Sequence, residues 1–83
     1  MIKVKNRLGV VGIVIEDREK VEIINDILHQ SADIIVGRMG IPYKEKGISM
    51  ISVMVDGTTD QVGSLTGKLG NIPGVNVKSA LTK

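Results

Sequence analysis

An arginine between glycines is the sharpest chemical feature of this chain. Gly37-Arg38-Met39-Gly40 sets a guanidinium on backbone that a partner can approach closely. A guanidinium so placed can form a bidentate pair with a carboxylate. The alternative is a bulged strand carrying an exposed arginine. Asp17 and Arg18 form a second candidate, at the junction of the first strand and the first helix. Helix N-termini attract anions, although Glu16 and Asp17 can also cap the helix themselves. The candidate ligand-binding residues are therefore Asp17, Arg18, Arg38, Met39 and Gly40.

Other chemistry is harder to build from these residues. His29 is the only histidine and there is no cysteine. Tight transition-metal sites recruit several N or S ligands, so His29 reads as a surface or partly packed residue and no metal site is assigned. The absence of cysteine excludes disulfides, thiol catalysis and cysteine-ligated zinc or iron–sulfur centres. Gly67-Lys68-Leu69-Gly70 has the Gly-Lys pair of a phosphate loop. Leu69 stands where that loop needs Ser or Thr, and the segment falls late in a helix. It reads as helix packing. With no nucleophile–base pair and no elbow serine, the sequence points away from an enzyme and calls for no cofactor.

These residues sit in a chain of 83 residues, long enough for one small domain spanning 1–83. Tyr43 is the single aromatic residue, so the core must be aliphatic. Net charge is +2. Basic residues are scattered apart from Lys3, Lys5 and Arg7, and no aromatics interleave with them for base stacking, which argues against nucleic acid. That cluster reads as a solvated tail that discourages edge pairing. No apolar run approaches the ~20 residues of a membrane span. The N-terminal MIKVKNRLGVVGIVIE ends in Glu16-Asp17 without a small-residue cleavage site, so it reads as a strand and not a signal peptide. The expected location is the cytoplasm.

The elements follow from periodicity. Arg7–Glu16 is β-branched with Val11, Ile13 and Ile15 on one face and Leu8, Val10 and Val14 on the other. Both faces are apolar, which predicts a central strand covered on both sides. Asp17 caps a helix over Arg18–Ser31, with a buried stripe of Val21, Ile24, Ile27 and Leu28. Asp33–Pro42 is a strand with a bulge or close approach at Gly37 and Gly40, ended by Pro42. After the charged connection Tyr43–Gly47, Ile48–Asp56 places Ile51, Val53 and Val55 on one face and Ile48, Met50, Ser52 and Met54 on the other. Thr58 and Gln61 make a capping box for a second helix with Val62, Leu65 and Leu69 inward. Gly63 and Gly67 share a face and predict close packing on a neighbour, and Gly70 is expected to end the helix in a left-handed conformation. Ile72-Pro73-Gly74-Val75 fits a type II turn into a fourth strand, Val75–Leu81.

The order βαββαβ predicts an α+β fold, the ferredoxin-like sandwich: a four-stranded antiparallel sheet with two helices on one face. Two helices cover only one face. The other would expose Ile48, Met50, Met54 and part of the first strand. Such a patch marks an interface. The expected partner is a second copy, in a homo-dimer or tetramer joined through sheet surfaces.

Three stretches carry a family resemblance: VIEDREKV (Val14–Val21), LHQSADIIVGRMGIP (Leu28–Pro42) and GSLTGKLGNIPGVNVK (Gly63–Lys78). Together they resemble the small standalone ACT-like proteins of the iron-only hydrogenase system regulator family, and the likeness spans nearly the whole chain. It implies a regulatory role near the maturation of [FeFe] hydrogenase. More distantly the chain is similar to the ligand-binding domain of the nickel-responsive repressor. That family binds metal through several His and a Cys, so nickel sensing does not carry over to a chain with His29 alone. Many ACT domains bind amino acids beside an Asp-x-Pro-Gly turn; here that turn is Glu16-Asp17-Arg18-Glu19, without Pro-Gly. The repressor's DNA-binding domain has no counterpart here, so control of transcription would need another protein. Two readings follow: a small-molecule-sensing regulatory oligomer, or an interaction module for another regulatory protein with no small ligand.

Overall fold

The alternation in the first apolar run builds the centre of a sheet. A computed structural model describes residues 6–82. It contains strand β1 (Arg7–Ile15), helix α1 (Val21–Gln30), strand β2 (Ile35–Tyr43), strand β3 (Ile48–Gly57), helix α2 (Thr59–Gly70) and strand β4 (Val75–Leu81). The strands form one sheet in the order β2-β3-β1-β4, every neighbouring pair antiparallel. This is the expected ferredoxin-like, ACT-like α+β sandwich. Lys3 and Lys5 lie outside the described residues. Arg7 does not belong to a solvated tail: it donates to Thr59 Oγ1 at 3.0 Å and to the Thr82 carbonyl at 2.9 Å. It thus ties β1 to the start of α2 and the end of β4.

The inward residues of β1 and β3 meet both helices. Val11, Ile13, Ile15, Ile51, Val53 and Val55 join Ile24 and Leu28 of α1 and Val62, Leu65 and Leu69 of α2 in one buried aliphatic cluster, with Ile34 and Val75. The outward residues have no such cover. Leu8 is 55% exposed and Val10 44%. β1 is central as expected, but the chain covers it on one face only.

Local chemistry sets most of the boundaries. Asp17 Oδ1 accepts from the Glu19 amide at 3.0 Å and opens a 3₁₀ turn, Arg18–Lys20, that leads into α1. The first helical segment therefore begins where expected, with its first turn wound tighter than α. Thr58 and Gln61 form the reciprocal capping box, at 3.1 and 2.9 Å. The Ile72–Val75 turn closes with a 3.2 Å bond from the Val75 amide to the Ile72 carbonyl. Gly74 supplies the positive φ of 79° that this turn needs.

Four expectations need correction. Ala32–Ile34 is a 3₁₀ turn, so β2 starts at Ile35 and not at Asp33. Pro42 does not end β2: it sits inside the ladder opposite Ser49. A proline is tolerated there because β2 is an edge strand. Gly70 does not take a left-handed conformation; the helix ends through Asn71 in ordinary helical geometry. Finally, a Cβ built on Gly63, Gly67 or Gly70 would meet nothing within 4 Å. No neighbour within the described residues requires those glycines. Gly63→Ala and Gly67→Ala will therefore each raise stability by about 0.5–1 kcal/mol, read by urea unfolding of the variants. A loss of stability in either would reveal a body packed on that face.

Candidate functional site

β2 is bent where it begins, and the bend decides where Arg38 points. The pairing with β3 runs Ile35↔Val55 and then Gly37↔Met54, so Val36 is the extra residue of a bulge. Beyond it Arg38 pairs with Val53 and Gly40 with Ile51, on the helix side of the sheet. Met39 pairs with Ser52 and faces outward, 62% exposed. The candidate run is thus split between the two faces: Arg38 and Gly40 look toward α1, and Met39 away from it.

The Arg38 guanidinium reaches α1 and donates from Nη2 to Asn25 Oδ1. This bond crosses a groove between α1 and β2. On one side lies a cavity of about 540 Å³, lined by Asn25, Asp26, Leu28, His29, Ile35 and Arg38. On the other lies one of about 240 Å³, where Gly40, Pro42, Ser49 and Ile51 join Val21 and the same Arg38–Asn25 pair. The floor is aliphatic and the rim carries a guanidinium, an imidazole, an amide and a carboxylate. An arginine has several N–H donors in a rigid fork. Asn25 occupies one and brings no charge, so Arg38 is oriented without being neutralised.

Asp17 and Arg18 belong elsewhere. Glu16 donates its amide to the Gly74 carbonyl at 2.7 Å, and the Cβ of Asp17 lies 3.1 Å from where a Cβ on Gly74 would stand. That junction adjoins β4, at the opposite edge of the sheet from β2. Within one chain the structure brings Arg38 and Gly40 to one groove, and leaves Asp17, Arg18 and Met39 apart from it. Sequence reasoning missed Asn25 and Asp26, and it gave His29 no role beyond the surface. A signal was there: Asn25 and His29 are four apart and flank the inward pair Ile24 and Leu28, so they share one margin of the helix. Among the described residues no cluster of three or more His, Cys, Asp or Glu stands ready for a metal.

Residues 7–79 match the TM1266-like family, described as "Iron-only hydrogenase system regulator, putative". The chain belongs to this family. The TM1266 protein of Thermotoga maritima is 38% identical, with a TM-score of 0.89 over 95% of this chain and 100% of that one. The TM1266-like fold also resembles a structure described as a "putative glycine cleavage system transcriptional repressor", at 13% identity and a TM-score of 0.68, over 94% of this chain and 46% of that one. It resembles CPII of Thiomonas intermedia K12, a nitrogen regulatory PII-like protein bound to ADP, AMP and bicarbonate, at 17% identity and a TM-score of 0.52, over 99% and 100%. These last two likenesses speak to the fold. No curated protein matches the sequence. The described residues hold no helix long and apolar enough to cross a membrane.

Proposed function

We propose that this TM1266-like chain is a single regulatory ACT-like domain of the [FeFe] hydrogenase system, with no catalysis of its own. It works in the cytoplasm as a homo-oligomer and senses a small organic anion in the groove between α1 and β2. One observation carries the sensing role: Arg38 is held by the neutral amide of Asn25, not by a carboxylate, over an aliphatic floor. Its fork keeps donors and positive charge for an incoming acid. Arg38 and Gly40 contact the ligand. Asp17, Arg18 and Met39 stand outside this groove, Met39 on the opposite face of the sheet.

Thermal unfolding tests this reading with a panel of amino acids, other small carboxylates, nucleotides and divalent metal ions. A ligand bound to the folded state at a hundred times its Kd adds about 2.7 kcal/mol. For a domain of this size that is a rise of about 10 °C or more in Tm. The expected result is such a rise with an anionic ligand, lost in Arg38→Gln. No rise with any compound would sink the sensing role. It would favour the interaction module instead, for which the exposed outer face of the sheet speaks.

A further inference from the structure

The outer face of the sheet has relief, and the register draws it. One row crosses the strands as Ile41, Met50, Val14 and, at its β4 end, the polar Asn76. The next row is Met39, Ser52, Gly12 and Lys78. A third is Met54, Val10 and Ala80. The first and third rows are bulky at their centres; the middle row holds a serine and a glycine there. The face is therefore two aliphatic ridges with a trough between them. A cavity of about 400 Å³ lies over the trough, and its only charged lining residue is Lys78, at the β4 end.

We infer that two copies of this chain pack face to face through this surface, a ridge of each lying in the trough of the other. The inference rests on the homo-oligomer proposed above and specifies its interface. Rows on one face repeat every two residues, about 6.7 Å, so a second copy turned about a two-fold axis presents ridges at the spacing of the trough. Packed sheets sit about 10 Å apart, and an interface core excludes charge, as this row does apart from its end. Four strands by about 25 Å of strand give roughly 500 Å² per copy in projection. Two copies together therefore cover on the order of 1,000 Å², the lower bound for a specific interface, before corrugation is counted.

Edge-to-edge pairing is the competing arrangement. It would leave both outer faces in water. The β2 edge is also blunted by the Val36 bulge and by Pro42, which has no N–H to donate.

Sedimentation velocity on the full chain tests this. Ser52→Glu puts a charge in the trough. Gly12→Leu fills it, and the folded monomer admits that side chain because a Cβ on Gly12 has only the Lys78 carbonyl near, at 3.8 Å. The wild type is expected to sediment as a dimer or a multiple of one at ~10 μM, and each variant to weaken that association about 100-fold or more. Lys68→Glu, on α2, is expected to leave it unchanged. Circular dichroism confirms that the variants are folded. An oligomer indifferent to both trough substitutions would overturn the face-to-face interface and leave the homo-oligomer standing. A wild-type monomer at ~100 μM would overturn both.

Discussion

Leu69→Ala will cost the fold about 3–4 kcal/mol. Leu69 is fully buried, on the inward face of α2. Replacing a buried leucine by alanine costs about 2–5 kcal/mol, the spread depending on how far the surroundings collapse into the space. Here they collapse poorly. Of the thirteen buried core residues ten are Val or Ile, and none is aromatic or Met. β-Branched side chains are held to few rotamers, so little near Leu69 can swing to fill the void. The total stability of a chain of 83 residues is roughly 4–12 kcal/mol at the usual 0.05–0.15 per residue. The variant thus gives up about a quarter or more of it. Thermal unfolding at fixed protein concentration should show a fall of about 12–32 °C, since each kcal/mol moves Tm by about 4–8 °C at this size. A fall below 5 °C would mean that the core repacks far more freely than its composition allows.

The same β-branched composition is why the sheet was legible in the sequence. Inward Val11, Ile13 and Ile15 and outward Leu8, Val10 and Val14 separate by the two-residue period alone, and β3 separates in the same way. The helix caps were legible because capping is local: Thr58 and Gln61 need only each other and three residues of backbone. The Ile72–Val75 turn is local in the same sense. The non-local features were not legible. The extra residue in β2 is Val36, and only the pairing with β3 reveals it; glycines at 37 and 40 hinted at an irregularity without fixing its place. That one residue decides whether Arg38 faces α1 or the outer surface, so the groove could not be drawn from the sequence. Asn25 and His29 lie on α1, and their relation to Arg38 depends on how the helix sits on the sheet. The glycines of α2 misled for a related reason. A helix glycine suggests close packing, but only the neighbourhood says whether anything is close, and at Gly63 and Gly67 nothing in the described chain is.

Gly9 is the glycine that packing does require, and the one with the largest cost of replacement. It lies in β1 opposite Leu81 of β4, and a Cβ there would stand 2.5 Å from the Ala80 carbonyl oxygen and closer still to the Leu81 side chain. Leu81 could rotate away. The Ala80 carbonyl belongs to the backbone of β4 and cannot move without pulling the strand from its ladder. Gly9→Ala is therefore expected to destabilise by about 3 kcal/mol, at the upper end of overpacking costs, although alanine is intrinsically the better strand residue of the two. Gly12→Ala is the matched control in the same strand. Its Cβ meets only ordinary contact at 3.8 Å, so that variant should be neutral or slightly more stable. Urea unfolding of the pair gives the comparison directly. Hydrogen exchange locates the damage, with lost protection concentrated in Ser79–Leu81 and the facing amides of β1. Equal stability in the two variants would show that β4 does not hold its end against β1. The 2.8 Å bond from the Thr82 amide to the Leu8 carbonyl and the Arg7 bond to the Thr82 carbonyl both argue that it does. The close approach at Gly9 is thus part of how the last strand closes the sheet.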